Sequence, residues 1–408
     1  MNCRHCKKNL NNCFLDLGTA PPSNSYLTKT QLNMTESYYP LKVYVCKNCW
    51  LVQVIDYAGR DIFFNDFYPY FSSISKSFLK HSKIYVDYIT DKLNLNKNSK
   101  IIEIASNDGY LLQFFKDKNF DCLGIEPSKS CAEYSRAKGI NVIQEFFDLN
   151  LSKKMVKKKV KADLIIANNV LAHVPDINNF VKGVSYLLKN NGVATFEFPH
   201  LLELIKNNQY DTIYHEHYSY LSVITLKKIF LKNGLKIFDV HKISTHGGSL
   251  RIFAKKKNST SHKIEKGYLN VYKEEIKYKL NLIETYTKFQ KIADKNKYDL
   301  IKFLLNCKKK KLKVAAFGAA AKGNTLLNYA GIKQDLIEFV CDSAPSKQNK
   351  FLPGTRIPIY PPDYLKKNQP DYLLILPWNI ADEIKIQLSY LKKKKTKFLV
   401  AIPKLKIF

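Results

Sequence analysis

Between Lys100 and Phe198 the chain alternates short apolar runs with longer stretches that repeat apolar residues at helical spacing. The runs at 100–104, 121–126, 163–168 and 192–198 predict strands, and the stretches between them predict amphipathic helices. Strand and helix in alternation are the pattern of a parallel α/β sheet. Ahead of it, 76–93 predicts a helix. Behind it, 261–306 is polar, has few breakers and keeps a helical period, so it predicts a long connector whose apolar face packs on a neighbouring domain. A second series of short apolar runs follows at 313–318, 337–341, 371–376 and 397–402. The first 58 residues match neither series: they are rich in turns and carry paired cysteines. The expected architecture is therefore α/β in three parts. These are a small metal-bound module over 1–58, a central α/β domain over 59–258, and a C-terminal α/β domain with its helical connector over 259–408.

Composition narrows the setting. A chain of 408 residues with 45% hydrophobic content has room for two or three cores. It holds no apolar run of membrane-spanning length, and Met1–Cys6 lacks the apolar core of an export signal, so a cytoplasmic location is expected. The formal net charge is +31, and nearly all of the positive charge is Lys; Arg occurs at Arg4, Arg60, Arg136, Arg251 and Arg356 alone. Nucleic-acid readers use Arg for bidentate contacts, whereas the lysine runs here, 153–161, 308–313 and 392–397, are short and scattered. They read as solvated element ends. Neither nucleic acid nor a membrane is expected as a partner, although so positive a field favours a phosphorylated substrate.

Nine cysteines in a reducing compartment point to metal rather than to disulfides. Cys3-x-x-Cys6 and Cys46-x-x-Cys49 offer two thiolate pairs, the donor set that Zn²⁺ prefers in closed structural sites. Such a site folds a module and does no chemistry. Cys13 reads as a packing residue.

The run Ile101–Ile104 leads into Ala105-Ser106-Asn107-Asp108-Gly109, a small polar turn ahead of a helix. Gly109 would let the backbone approach a ligand closely. About twenty residues on, the next strand ends in Glu126, where an acid can hold the ribose hydroxyls of an adenosyl group. The pyrophosphate fingerprint GxGxxG is missing. S-adenosylmethionine (SAM), which has no pyrophosphate, fits better than a dinucleotide. Asn168 and Asn169 end the third strand, where they would contact the methionyl part of SAM or close the pocket floor. The expected cofactor set is thus Glu103, Ala105, Asn107, Gly109, Glu126, Asn168 and Asn169. His173 reads first as a packing histidine.

Tyr214-His215-Glu216-His217-Tyr218 concentrates acid–base groups. His217 is the expected base, Glu216 an orienting group or a hydroxyl contact, and Tyr214 a donor or a positioning group. His215 and His217 also read as a metal pair on a strand, but no third ligand stands nearby in sequence. Thr245–Arg251 is a polar turn that would line a pocket, with Arg251 a weaker candidate for phosphate. Gly318–Asn324 follows a strand and opens a helix, a place where backbone N–H groups and Lys322 suit a phosphate; a plain structural turn is the competing reading.

Taken in order, the two CxxC pairs, Glu103–Gly109, Ala167-Asn168-Asn169-Val170, Tyr214–Tyr220 and Phe317–Thr325 resemble the class I SAM-dependent C-methyltransferases of nucleotide-deoxysugar biosynthesis. The resemblance covers nearly the whole chain. It implies a zinc module, a SAM-binding Rossmann-like domain and a C-terminal α/β domain. It also implies a nucleotide-linked 4-keto-6-deoxysugar substrate, methylated beside the ketone, in a monomer or homodimer. The active site it implies is His217, Glu216, Tyr214 and an upstream tyrosine, Tyr70, with Tyr68 as the rival. An O- or N-methyltransferase on the same cofactor fold is the alternative within enzymes. A zinc-containing nucleic-acid binder is the alternative outside them.

Overall fold

The computed structural model describes residues 1–57, 71–392 and 395–408. Three antiparallel strands come first: β1 (Asn12–Ala20), β2 (Tyr39–Val45) and β3 (Val52–Val54). Then follow β4 (Lys100–Ile104), β5 (Asp121–Ile125), β6 (Asn141–Ile143), β7 (Ala162–Asn168), β8 (Leu188–Pro199), the two-residue β9 (Ser219–Tyr220), β10 (Leu235–Ile243) and β11 (Ser249–Lys256). The last group is β12 (Val314–Phe317), β13 (Val340–Cys341), β14 (Ile359–Tyr360), β15 (Tyr372–Ile375), β16 (Lys397–Val400) and β17 (Lys406–Ile407).

The central sheet has the order β10-β11-β8-β7-β4-β5-β6. Strands β4 to β8 pair in parallel, and β11 joins β8 antiparallel. The chain runs outward from β4 through β5 to β6, then crosses to β7 on the other side. The strand order therefore reverses between β4 and β7, the switch point where such sheets open a crevice at their carboxyl ends. The C-terminal sheet, β14-β13-β12-β15-β16-β17, repeats the device. Its β12 is flanked in parallel by β13 and β15, so it too reverses beside its first strand.

The buried runs follow the expected periods. Ile101, Ile102 and Ile104 are buried on β4, and Leu164, Ile165, Ile166 and Ala167 on β7, as in a sheet covered on both faces. The expected helix at 76–93 is Lys76–Lys92, capped by the Ser75 side chain, which accepts from Phe78 N. The expected connector at 261–306 is not one helix. It divides into Lys266–Lys277, Glu284–Thr287 and Phe289–Lys309. Lys279 takes a left-handed φ of 64°, Leu280 turns inward to full burial, and the Tyr286 hydroxyl donates to the Leu280 carbonyl. The helical period is interrupted there by a buried leucine between Lys279 and Asn281.

The four-stranded sheet β1-β2-β3-β9 ties the first module to the second domain. Its last strand comes from the segment just after the Tyr214–Tyr218 cluster: Tyr220 pairs with Val52 and Ser219 with Gln53. Among the described residues no helix is long and apolar enough to cross a membrane.

Candidate active site

Cys3, Cys6, Cys46 and Cys49 bring their sulfurs within 4.8 Å of one another. Cys3 Sγ lies 3.5 Å from Cys49 Sγ, and Cys6 Sγ 3.5 Å from Cys46 Sγ. Four thiolates at about 2.3 Å from one tetrahedral ion sit at such separations, so the set fits zinc. Each CxxC turn closes alike: Lys7 N donates to the Cys3 carbonyl and Trp50 N to the Cys46 carbonyl, with Lys7 and Trp50 both at positive φ. The first turn is pinned to the central domain. The Arg4 guanidinium donates to Pro175 O at 2.7 Å and to Val54 O at 2.6 Å, and it pairs with Asp56. Cys13 is exposed and lies outside the sulfur cluster, so the packing role expected for it is not what the structure gives.

A cavity of about 340 Å³ opens at the carboxyl ends of β4, β5 and β7. Ala105, Asn107, Glu126, Asn168 and Asn169 line it. The turn after β4 holds Ala105 at φ 56° and Asn107 at φ 49°, which exposes the main chain to the cavity. Glu126 accepts from Asn107 N and from Ser128 N, each at 2.9 Å. A carboxylate has about four acceptor positions, so room remains for two hydroxyls. Burial pushes the Glu126 carboxyl up to about 7, against the pull of those two N–H groups. Asn168 Oδ1 is buried without a partner among the described residues. Ile125, Phe146, Phe147 and Phe180 supply apolar walls. An acid with free acceptor capacity, an orphaned amide oxygen and an aromatic slot together fit an adenosyl cofactor.

Two residues of the expected cofactor set stand behind the wall. Glu103 is fully buried on β4 and does not line the cavity; burial, with the Asp108 charge nearby, holds its carboxyl well above the usual range. Gly109 is at φ 74°, and a Cβ there would meet the Ile140 side chain at 2.6 Å. Its positive φ and lack of a side chain make room for Ile140 and Ser135.

The same cavity reaches Tyr214, Glu216 and His217. His217 Nδ1 is 3.0 Å from the Thr212 carbonyl, so this nitrogen donates and Nε2 is left as the acceptor. The Tyr214 hydroxyl lies 2.8 Å from that Nε2. Burial, with His173 beside it, holds His217 well below the ordinary imidazole value, so the ring is neutral at working pH. Burial pushes Glu216 the other way, to about 7, while Asn24 Nδ2 donates to its carboxylate at 2.7 Å. The His173 ring lies 4.6 Å from that of His217 and lines the cavity, so it is a site residue as well as a packed one. His215 points elsewhere, to the Tyr39 carbonyl at 3.2 Å. Residues 214–218 form a turn rather than a strand, so the two histidines do not converge. Among the described residues the four cysteines are the one metal-ready group. Tyr70 and its rival Tyr68 lie outside the described residues.

The opposite wall comes from the C-terminal sheet: Ala320, Ala321 and Lys322 after β12, and Lys347 beyond β13. Ala321–Ala330 is a ten-residue helix whose first turn has no side-chain cap. His246, from the polar turn at 245–251, also lines the cavity. Arg251 does not. Its Nε donates to Glu197 at 2.6 Å and its guanidinium sits over the Tyr85 ring, so the phosphate role considered for it is overturned.

Family models match three stretches in this order: a zinc-binding domain over 3–64, a methyltransferase domain over 80–240 and a C-methyltransferase C-terminal domain over 244–403. The chain is 31% identical over 389 residues to C-methyltransferase NovU of Streptomyces niveus, covering 95% of this chain and 92% of that protein. It belongs to the SAM-dependent C-methyltransferase family. A 97-residue stretch is 31% identical to a ubiquinone biosynthesis O-methyltransferase of Pelagibacter ubique (strain HTCC1062), covering 24% of this chain and 40% of that protein. Among solved structures, PH0226 protein from Pyrococcus horikoshii OT3 is similar at TM-score 0.38 and 15% identity, covering 47% of this chain and 96% of that one. In this C-methyltransferase, SAM is the cofactor and supplies the methyl group, and zinc is the metal of the N-terminal module.

Asn24, His246 and Lys347 line the C-methyltransferase cavity without having been expected there by number. Thr245–Arg251 carried a polar-turn signal that reached His246. For Asn24 and Lys347 the local sequence shows only a turn. Their place depends on how the domains dock.

Proposed function

We propose that the enzyme methylates a nucleotide-linked keto-deoxysugar at the carbon beside its ketone, with His217 as the base. The observation that carries this reading is the Nε2 of His217: a neutral, buried acceptor in the same cavity as Glu126. Carbon becomes a nucleophile only when a neighbouring carbonyl lets its proton leave, so the site needs a base and a donor for the enolate oxygen. His217 Nε2 takes the proton, and the C–H electron pair passes to the carbonyl oxygen. Substrate displaces the Tyr214 hydroxyl from Nε2, which frees that hydroxyl to donate to the oxygen. The low affinity of His217 for protons keeps it ready but makes it a reluctant acceptor. Glu216, in the same cavity and held by Asn24, orients a catalytic group or contacts a sugar hydroxyl. Asn107, Glu126, Asn168 and Asn169 hold the cofactor; Glu103 and Gly109 support that wall from behind. Tyr70 completes the catalytic set, as the family resemblance implies.

Support for a phosphorylated substrate comes from the other wall. Lys322, Lys347 and the uncapped start of helix Ala321–Ala330 put positive charge and N–H groups on the cavity. The domain limits that follow are a zinc module over 1–58, a SAM domain over 59–258 and a substrate-side domain over 259–408.

The deciding experiment follows one sugar carbon proton of a nucleotide-linked 4-keto-6-deoxysugar in deuterated solvent, without SAM. Exchange in the wild type and its loss in His217→Ala are expected. Turnover with SAM but no exchange would point to O- or N-methylation instead.

A further inference from the structure

The loop Pro21–Leu27, between β1 and β2, is held from two sides. On the C-terminal domain, Asn324 Nδ2 donates to the Ser23 carbonyl at 2.5 Å, and the Tyr26 hydroxyl donates to the Ala319 carbonyl at 2.6 Å. Leu27 and Phe351 exchange backbone hydrogen bonds at 2.9 and 2.8 Å. Between these anchors, Asn24 turns the other way. It lines the cavity and donates from Nδ2 to the Glu216 carboxylate at 2.7 Å. Glu216 is 2% exposed, and Asn24 is the donor the structure gives its carboxylate among the described residues. A buried carboxylate with a directional donor keeps one rotamer; without the donor, it turns or takes up a proton.

We propose that Asn24 is a positioning residue of the methyl-transfer reaction, fixing the Glu216 carboxylate in a geometry set by docking of the C-terminal domain through the Ser23 and Tyr26 anchors. The Asn24 Oδ1 accepts at 3.4 Å from the Tyr26 hydroxyl, the same group that anchors the loop to Ala319, so the side chain links that anchor to Glu216. Its Nδ2 reaches Glu216. The proposal rests on the reading that Glu216 belongs to the active site.

A double-mutant cycle in the full-length, zinc-loaded enzyme tests it, with SAM and a nucleotide-linked 4-keto-6-deoxysugar as probes. Asn24→Ala is expected to lower kcat about tenfold, the scale of one lost hydrogen bond to a charged group, with SAM affinity and zinc content unchanged. In a Glu216→Gln background the same change is expected to cost less than about twofold, because the partner it positions is already altered. The acid limb of the kcat profile is also expected to move to higher pH in Asn24→Ala, since the lost bond favoured the charged carboxylate. Asn24→Asp, of equal size, is expected to move it further by adding a like charge. Where Glu216→Gln leaves too little activity to measure, these two shifts decide the matter. An unchanged kcat and pH profile in Asn24→Ala, or fully additive losses, would overturn the proposal alone. Full activity in Glu216→Gln would instead overturn the reading of Glu216 on which it rests.

Discussion

The two α/β domains use one device to different ends. In the central domain, Glu126 follows the second strand and accepts from Asn107 N, in the turn after the first strand, and from Ser128 N, two residues on. In the C-terminal domain, Asp342 follows β13, its second strand, and accepts from Ala319 N, in the turn after β12, at 2.6 Å, and from Ala344 N, two residues on, at 2.7 Å. The backbone pattern is the same. The difference lies in what faces the acid. Glu126 borders an aromatic slot and the cavity, and burial raises it to about 7. Asp342 has Lys347 Nζ 3.8 Å away, and Lys347 also donates to the Ala319 carbonyl. One carboxylate is left with acceptor capacity for a ligand; the other is closed within its own turn. A shared strand-turn-helix pattern therefore does not make two cofactor sites, because the group opposite the acid decides whether it binds anything.

The sharpest way to break this contrast is at the cluster between the domains. His217→Ala is expected to lower methyl transfer by about 10²–10⁴, the range of a lost general base, while SAM binding by calorimetry stays intact. If SAM binding fell together with turnover, the division between a cofactor wall and a reaction cluster would not hold.

Glu126→Gln is expected to weaken SAM binding about tenfold to a hundredfold, as a site loses a charged acceptor for hydroxyls. The sign of the pH effect follows from the raised carboxyl. Above about 7 Glu126 is ionised and accepts hydroxyls; below it, the acid takes a proton and loses acceptor capacity. Wild-type affinity for SAM is expected to fall as pH drops through neutrality. In Glu126→Gln that dependence is expected to flatten, and a titration series of dissociation constants checks it.

Lys322→Met tests the substrate-side wall. Its Nζ donates to Asn379 and lies over the Trp378 ring, while the chain at Lys322 lines the cavity. The expected outcome is a KM for the phosphorylated sugar raised about tenfold or less, a weaker salt dependence of kcat/KM, and an unchanged KM for SAM. Steady-state kinetics at two ionic strengths separate these terms.

Asp342→Asn is expected to be the mildest. SAM binding and kcat stay at wild-type levels, and stability falls by about 1–3 kcal/mol as the buried N–H of Ala319 loses a charged acceptor. Thermal unfolding measures it. A loss of SAM affinity here would erase the contrast with Glu126.

How far all this was legible depends on the distance over which each residue acts. The turn Ala105–Gly109, Glu126 and the two asparagines after β7 declare themselves locally, because a parallel strand delivers its carboxyl end to the crevice wherever the domain sits. The cysteine pairs declare themselves by donor type. Glu103 and Gly109 belong to the same motif, yet they stand behind the wall, since strand alternation turns Glu103 away from the cavity. The long connector breaks at Leu280, where a tertiary contact overrides a helical period.

By itself, then, the sequence determined the α/β class, the order of the three parts, the four-sulfur site and the strand ends that form the cofactor wall, all through short-range patterning and donor chemistry. Only the tertiary structure decided which distant side chains meet in and around the cavity. It set Asn24 against Glu216, brought Lys347 to the cavity wall, and paired Arg251 with Glu197 rather than a phosphate. The physical reason is that a charged group's role is set by its nearest partner: Arg251 and Glu197, 54 positions apart, meet when β11 pairs with β8, and Asn24 and Glu216, 192 positions apart, meet when the modules pack.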